Sequence, residues 1–71
     1  MIDLALIGAG SMGKGLTKPI KDSDFARVTH VCDPDRENAE PWADELGAHW
    51  HEAYETALAD DAVNAVIVGA P

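Results

Sequence analysis

The sequence contains little cysteine, few basic residues and no long apolar run. Its 71 residues include one cysteine, Cys32, which excludes an intrachain disulfide and a metal site built from several thiolates. No segment approaches the roughly 20 apolar residues that a membrane-spanning helix needs. The N-terminal segment contains Asp3 and lacks the basic region with which a secretory signal peptide begins. We therefore expect a small cytoplasmic domain that does not associate with a membrane.

Basic residues are outnumbered by acidic ones. The sequence has five Lys and Arg residues against thirteen Asp and Glu residues, which gives a formal net charge of −8 at pH 7. A surface of this sign repels nucleic acid and anionic lipid, so neither is expected as a partner. The simplest interpretation of the balance is an ordinary solvated exterior, and an alternative is adaptation to high salt, where abundant carboxylates are common.

A glycine-rich motif follows the first apolar run. Residues 2–7 end directly in Gly8-Ala9-Gly10-Ser11-Met12-Gly13, the pattern G-x-G-x-x-G, and a helix-compatible segment follows. Gly8 allows a sharp turn, Gly10 leaves backbone amides open to a diphosphate, and Gly13 permits close packing of helix on strand. The free N–H groups and dipole of a helix start favour an anion there. The motif predicts a dinucleotide site.

The remaining pattern alternates strands with helices. Apolar runs predict strands at 2–7, 27–32, 48–50 and 65–68, and helices starting at Ser11, Pro34 and Glu52. Pro19 should kink the first helix or end it near Lys18, and Gly47 should end the second. The order β-α-β-α-β-α-β predicts an α/β fold, a partial Rossmann domain with a doubly wound parallel sheet in strand order 3-2-1-4.

Helical spacing predicts which side chains face the sheet. The expected inward residues are Met12, Leu16 and Ile20, then Ala39, Trp42, Ala43 and Leu46, then Ala53, Tyr54, Ala57 and Leu58. The fourth strand would leave an apolar edge without a neighbour, which proteins normally pair or block. We therefore expect residues 1–71 to be the N-terminal part of a longer dinucleotide-binding domain, or to be completed by a partner.

Asp33 is the second candidate site residue. It ends the second strand twenty residues after Gly13, where a carboxylate can accept both hydroxyls of an adenosine ribose and repel a 2′-phosphate. This favours NAD over NADP, although Asp33 could instead only cap the following helix. Arg36 leaves the choice open, because it could meet a 2′-phosphate, stack on adenine or remain a surface residue.

Other candidate residues carry weaker signals. Gly69, Ala70 and Pro71 follow the fourth strand, beside the point where such sheets bind ligands, although they could also be an ordinary exit from strand to loop. His30, His49 and His51 lack metal-ligand spacing, so no metal site is predicted. Cys32 is expected to be a buried apolar residue.

Three segments together resemble a known family. They are Ile7–Gly13, Val31–Asp35 and Ala59–Pro71. The combination resembles the N-terminal domain of the glucose–fructose oxidoreductase and inositol dehydrogenase family, Gfo/Idh/MocA, over nearly the whole chain. The last segment is similar to the family's D-x-D-V-D-A-V-x-I-A-T-P. Asn64 replaces its usual aspartate, and Gly69-Ala70 replaces Ala-Thr, which removes a hydroxyl that could touch the cofactor.

The resemblance implies a role for each motif. It implies that the diphosphate of the cofactor is held by Gly8, Gly10, Ser11, Met12 and Gly13. It implies that Asp33 holds the adenosine ribose, and that the cofactor path is lined by Gly69, Ala70 and Pro71. It implies an NAD(P)-dependent, homo-oligomeric oxidoreductase acting on a sugar or polyol hydroxyl. The family's catalytic lysine lies beyond the equivalent of Pro71, so no catalytic residue is expected here. The alternatives are a Rossmann dehydrogenase of amino-acid semialdehydes and a nucleotide-sensing regulatory module without turnover.

Overall fold

Four parallel strands form one sheet with helices on both faces. The computed structural model describes residues 1–69. The strands are β1 (Ile2–Ile7), β2 (Ala26–Cys32), β3 (His49–His51) and β4 (Ala65–Val68), and the α-helices are α1 (Ser11–Thr17), α2 (Arg36–Leu46) and α3 (Tyr54–Leu58). The spatial order is β3-β2-β1-β4, with every neighbouring pair parallel. The predicted α/β class and strand order are confirmed.

An irregularity in β2 decides which residues face which helices. The register against β1 passes from Val28 opposite Leu4 to His30 opposite Ala5, skipping Thr29. An extra residue of this kind shifts the alternation of side chains by one position. Val28 and Val31 therefore both pack in the core cluster beneath α1 and α2, although they are three residues apart.

The helix α1 ends where proline predicts, but it presents a different face from the expected one. It stops at Thr17 and continues as a 3-10 helix, Lys18–Asp22, with Pro19 in its first turn. Two of the three expected inward residues are wrong, since Met12 is 62% exposed and Leu16 is 49% exposed. The third, Ile20, packs against the core from the 3-10 helix, as predicted. In place of Met12 and Leu16, Gly13 and Thr17 are buried. Because a glycine lies at the contact, the helix backbone itself approaches the sheet.

The helix α2 begins two residues later than predicted. Its N-cap is Asp35, whose side chain accepts a hydrogen bond from the backbone N–H of Asn38. Pro34 therefore lies outside the helix, and Asp33 does not cap it. Pro41 is accommodated within the helix, which ends at Gly47 in the left-handed conformation, with φ of 70°, as predicted.

The core has two parts separated by the sheet. The larger lies under α1 and α2 and joins Leu4, Leu6, Val28 and Val31 to Ala39 and Ala43, with Trp42 and Leu46 packed against it. The smaller lies under α3 and contains Ala5, Cys32 and Ala57. This confirms the expected inward face of α2.

The helix α3 covers less of the sheet than predicted. It spans Tyr54–Leu58, shorter than the expected 52–59, and Ala57 is its buried residue. The expectation that Tyr54 and Leu58 face inward is wrong, since each is 50% exposed. Val68, on the edge strand β4, is 62% exposed. The apolar edge expected at the fourth strand is therefore present in residues 1–69.

Candidate dinucleotide site

Three glycines meet where β1 and β4 end and α1 begins. Gly8 has φ of 91°, a left-handed conformation that favours glycine. A Cβ on Gly13 would overlap the carbonyl oxygen of Gly8 and lie 3.1 Å from its carbonyl carbon. A Cβ on Gly69 would lie 2.5 Å from Cα of Gly13 and 2.9 Å from the Gly8 oxygen. Packing within the protein thus holds Gly13 and Gly69 to glycine, and the backbone conformation favours glycine at position 8.

Gly10 differs from these three glycines. It is exposed, and its backbone is extended, with φ of −74° and ψ of −169°, a conformation that any residue can adopt. A Cβ there would meet nothing within 4 Å. The open space lies at the N-cap of α1, where free N–H groups point outward. Nothing in the protein's own packing therefore requires glycine at this position.

The predicted neighbours of Gly10 lie on the same turn. Ser11 and Met12 form the start of α1 and are both exposed. Gly69 donates its backbone N–H to the carbonyl of Ile7, 2.7 Å away, which places the end of β4 beside the glycine turn. Ala70 and Pro71, also predicted to line the cofactor path, lie outside the described residues.

Asp33 lies at the end of β2 and contacts the glycine turn directly. Its Oδ2 accepts the backbone N–H of Ala9 at 2.8 Å, and its Oδ1 accepts the backbone N–H of Asp35 at 2.8 Å. Each carboxylate oxygen accepts one of these hydrogen bonds and keeps capacity for another. The side chain is part-exposed, so a ribose hydroxyl could still reach it.

The backbone of Asp33 is fixed as firmly as its side chain. Its N–H donates to the carbonyl of His51 at 3.0 Å, and its carbonyl accepts Nε1–H of Trp50 at 3.0 Å. Both partners belong to β3. The carboxylate therefore stands on a rigid strand end rather than on a loose loop.

Arg36 is engaged by two side chains near Asp33. Its Nε and one terminal nitrogen donate to Oε2 of Glu40 at 3.1 and 3.0 Å, and its guanidinium carbon lies 5.0 Å from the centroid of the Trp50 ring. The arginine side chain is 65% exposed. An ion pair with Glu40 and a stacking contact with Trp50 therefore hold the Arg36 side chain within the protein.

A cleft opens beside Asp33 at the carboxyl ends of the strands. Its volume is about 280 Å³. It is lined by Ile7, Gly8, Cys32, Asp33, Pro34, Glu52 and Tyr54. Glu52 lies in the turn after β3 and Tyr54 begins α3, and neither was predicted as a site residue. Their sequence context carries no motif, and only the strand order brings them beside Asp33.

A chain of histidines on the α3 side of the sheet was also missed. His30 Nδ1 lies 2.9 Å from Nε2 of His51, and His30 Nε2 lies 2.8 Å from Oδ2 of Asp60. Burial, and then the proximity of His30 and His49, lowers the pKa of His51 below 6.5. The hydrogen bond from the Ala62 N–H, followed by that to His30, lowers the pKa of Asp60. The three groups tie β2, β3 and the segment after α3 together.

Cys32 behaves as a core residue. It is 3% exposed, and burial together with the nearby Glu55 raises the pKa of its thiol. Within residues 1–69, no three His, Cys, Asp or Glu side chains are arranged to hold a metal ion. Over the same residues, the helices are too short and too polar to cross a bilayer.

Comparison with protein families gives a match over nearly the whole chain. The sequence model of the Gfo/Idh/MocA group, described as an oxidoreductase family with an NAD-binding Rossmann fold, matches residues 2–71. An uncharacterised oxidoreductase of Streptococcus pneumoniae is 35% identical over 71 residues, which cover all of this chain and 19% of that protein.

Solved structures show the same arrangement. A myo-inositol dehydrogenase from Corynebacterium glutamicum matches with a TM-score of 0.91 and 25% identity, over 100% of this chain and 21% of that one. The WlbA dehydrogenase from Chromobacterium violaceum, in complex with NADH and UDP-GlcNAcA, matches with a TM-score of 0.87 and 28% identity, over 99% of this chain and 21% of that one. The chain thus spans about a fifth of the length of these relatives.

Proposed function

Because this chain belongs to the Gfo/Idh/MocA family of oxidoreductases with an NAD-binding Rossmann fold, we propose that it binds the ADP half of NAD within a longer oxidoreductase. In this proposal, residues 1–71 are the N-terminal part of the dinucleotide-binding domain. The observation that carries it is the contact between the glycine turn and Asp33. The backbone N–H of Ala9 donates a hydrogen bond of 2.8 Å to the Asp33 carboxylate, so the expected diphosphate and ribose positions lie next to each other.

Each part of the site has a separate task in binding. The amides around Gly8, Gly10, Ser11, Met12 and Gly13 would face the diphosphate, and the open space at Gly10 would let it approach the backbone. The Asp33 carboxylate would accept the ribose hydroxyls, and the cleft beside it would hold the rest of the adenosine. Gly69, Ala70 and Pro71 would line the path toward the nicotinamide.

The bound nicotinamide supplies the redox chemistry, by accepting or donating a hydride. The residues of this chain would bind and orient the cofactor, and the groups that move protons would lie elsewhere in the protein. We propose a sugar or polyol hydroxyl as the substrate. The support is the myo-inositol dehydrogenase and the UDP-GlcNAcA complex among the similar structures.

We further propose that NAD is preferred over NADP. Asp33 and Glu52 both line the cleft, and two carboxylates oppose a 2′-phosphate. Arg36, the basic group that could offset them, is engaged with Glu40 and Trp50.

The cellular setting completes the proposal. We propose a cytoplasmic protein, which the single cysteine supports. We also propose a homo-oligomer, as the resemblance to the family implies. The net charge of −8 supports adaptation to high salt as a further proposal. Thermal unfolding of the protein in increasing KCl tests it, with stability rising up to molar salt as the expected result.

The proposed function is tested by activity of the full-length protein. Purified protein is mixed with NAD⁺ or NADP⁺ and a panel of sugars and cyclitols, and the absorbance of the reduced cofactor is followed. We expect turnover with at least one polyol and NAD⁺. Tight NADH binding without turnover on any sugar, cyclitol or semialdehyde would indicate the nucleotide-sensing alternative. Turnover on a semialdehyde alone would indicate the other dehydrogenase class.

A further inference from the structure

Ala9, between the first two glycines of the motif, is held by side chains at both of its backbone polar groups. It is fully buried. Its N–H donates to Oδ2 of Asp33 at 2.8 Å, and its carbonyl accepts a hydrogen bond from Nδ2 of Asn38 at 2.7 Å. The two side chains come from the end of β2 and the first turn of α2. The peptide planes on either side of Ala9 are therefore fixed from two elements.

Asn38 has no freedom to turn its amide around. Its Oδ1 accepts a hydrogen bond from Nζ of Lys14 at 2.8 Å. An ammonium group is only a donor, so the atom facing it must be the amide oxygen, which leaves the nitrogen for the Ala9 carbonyl. The side chain is half-buried, and the backbone N–H of Asn38 is held by Asp35. One side chain thus joins α2 to both the glycine turn and α1.

We propose that Asn38 is a positioning residue that holds the glycine turn in the conformation needed to bind a diphosphate. This inference rests on the proposed function and adds a determinant outside the glycine motif. Backbone amides bind an anion most strongly when they are already oriented, because no ordering is then needed on binding. Without Asn38, the Ala9 carbonyl loses its protein partner, and the adjoining amides gain freedom that the diphosphate must remove.

The inference predicts a loss that depends on the phosphates of the ligand. The experiment compares adenosine, ADP and NADH binding by calorimetry to the full-length protein, as wild type and as Asn38→Leu. Leucine has a similar size and a better helix propensity, so α2 is not weakened. We expect ADP and NADH to bind about fivefold more weakly, the scale of one lost hydrogen bond. Adenosine affinity should stay within about twofold, since adenosine has no phosphate.

Two further variants make the comparison specific. Asn64→Leu is the matched control, because the Asn64 side chain also hydrogen-bonds the backbone of another element: its Oδ1 accepts the N–H of Asp3 at 2.9 Å. Asn64 lies just before β4 and far along the chain from the glycine turn. This variant should leave all three affinities unchanged. Asn38→Gln keeps an amide and should recover part of the lost ADP affinity.

The outcomes separate this inference from the proposed function. If Asn38→Leu weakens adenosine and ADP equally, or weakens neither, the positioning role is wrong, while the nucleotide site stands. If the wild-type protein binds neither ADP nor NADH, the proposed function itself fails.

Discussion

Gly10→Ala separates a glycine required by a ligand from glycines required by the fold. In the protein alone, a Cβ at Gly10 meets nothing within 4 Å, and the backbone conformation suits alanine. Alanine reduces the freedom of the unfolded chain, which stabilises by about 0.4–1 kcal/mol, but it is a poorer N-cap than glycine by a similar amount. The free energy of unfolding should therefore change by less than about 0.5 kcal/mol.

In contrast to the free energy of unfolding, the affinity of the Gly10→Ala protein for NADH should change clearly. If the diphosphate approaches the amides at Gly10, the new methyl group occupies space that the ligand needs. Forcing an extra methyl into a close contact costs about 1–3 kcal/mol, which corresponds to a loss of NADH affinity of about 5-fold to about 150-fold. The assay is a fluorescence titration with NADH, paired with urea unfolding of the same samples.

Two variants of the same type serve as controls. Gly15→Ala lies on the exposed side of α1 with open space around it, so it should stabilise by about 0.5–1 kcal/mol and leave NADH affinity unchanged. Gly13→Ala would overlap the Gly8 carbonyl and should destabilise by about 1–3 kcal/mol or more. A folded Gly10→Ala protein that binds NADH like the wild type would refute the reasoning.

Three further predictions follow from the contacts around Asp33 and His51. Asp33→Ala should weaken NADH binding by about 1–3 kcal/mol, the scale of a charged hydrogen-bond partner, and unchanged affinity in a titration would remove its assigned role. Glu40→Gln should free Arg36 and raise NADPH affinity relative to NADH by about two- to fivefold; competition titrations that show no change in this ratio would contradict it. The lowered pKa of His51 means that the unfolded state binds its proton more readily, so stability should fall as pH drops below about 6.5. Urea unfolding at several pH values checks this, with His51→Phe expected to flatten the dependence; an unchanged slope in that variant would point to another group.

The features that the sequence predicted correctly are those that depend on residues close together in the chain. The glycine turn, the end of α1 before Pro19, the left-handed Gly47 and the buried stripe of α2 all follow from local preferences. The strand order followed from the alternation of strands and helices together with the dinucleotide-binding glycine motif.

The errors arose where tertiary contacts overrode these preferences. Met12 and Leu16 have the right spacing for a core face, but the contact of Gly13 with Gly8 turns them outward. Asp33 is a residue type that commonly caps helices, but its carboxylate accepts the backbone N–H of Ala9. Asp35 caps α2 instead.

Contacts between distant residues could not be found from the sequence at all. His30 hydrogen-bonds to His51 and Asp60, which lie 21 and 30 residues later in the chain. The face of the sheet on which His30 lies depends on the irregularity at Thr29. Asn38 reaches Ala9 across 29 residues without any motif. A single sequence carries no local signal for such pairs, because they depend on the register of the strands.

The central claim is that a diphosphate rests on the backbone of the glycine turn while Asp33 holds the adjoining ribose. A crystal structure of the full-length protein with NADH tests it most directly. We predict diphosphate oxygens within hydrogen-bond distance of backbone amides between Gly8 and Gly13, and ribose hydroxyls on the Asp33 carboxylate. NADH bound with its diphosphate away from this turn, or its ribose away from Asp33, would contradict the account.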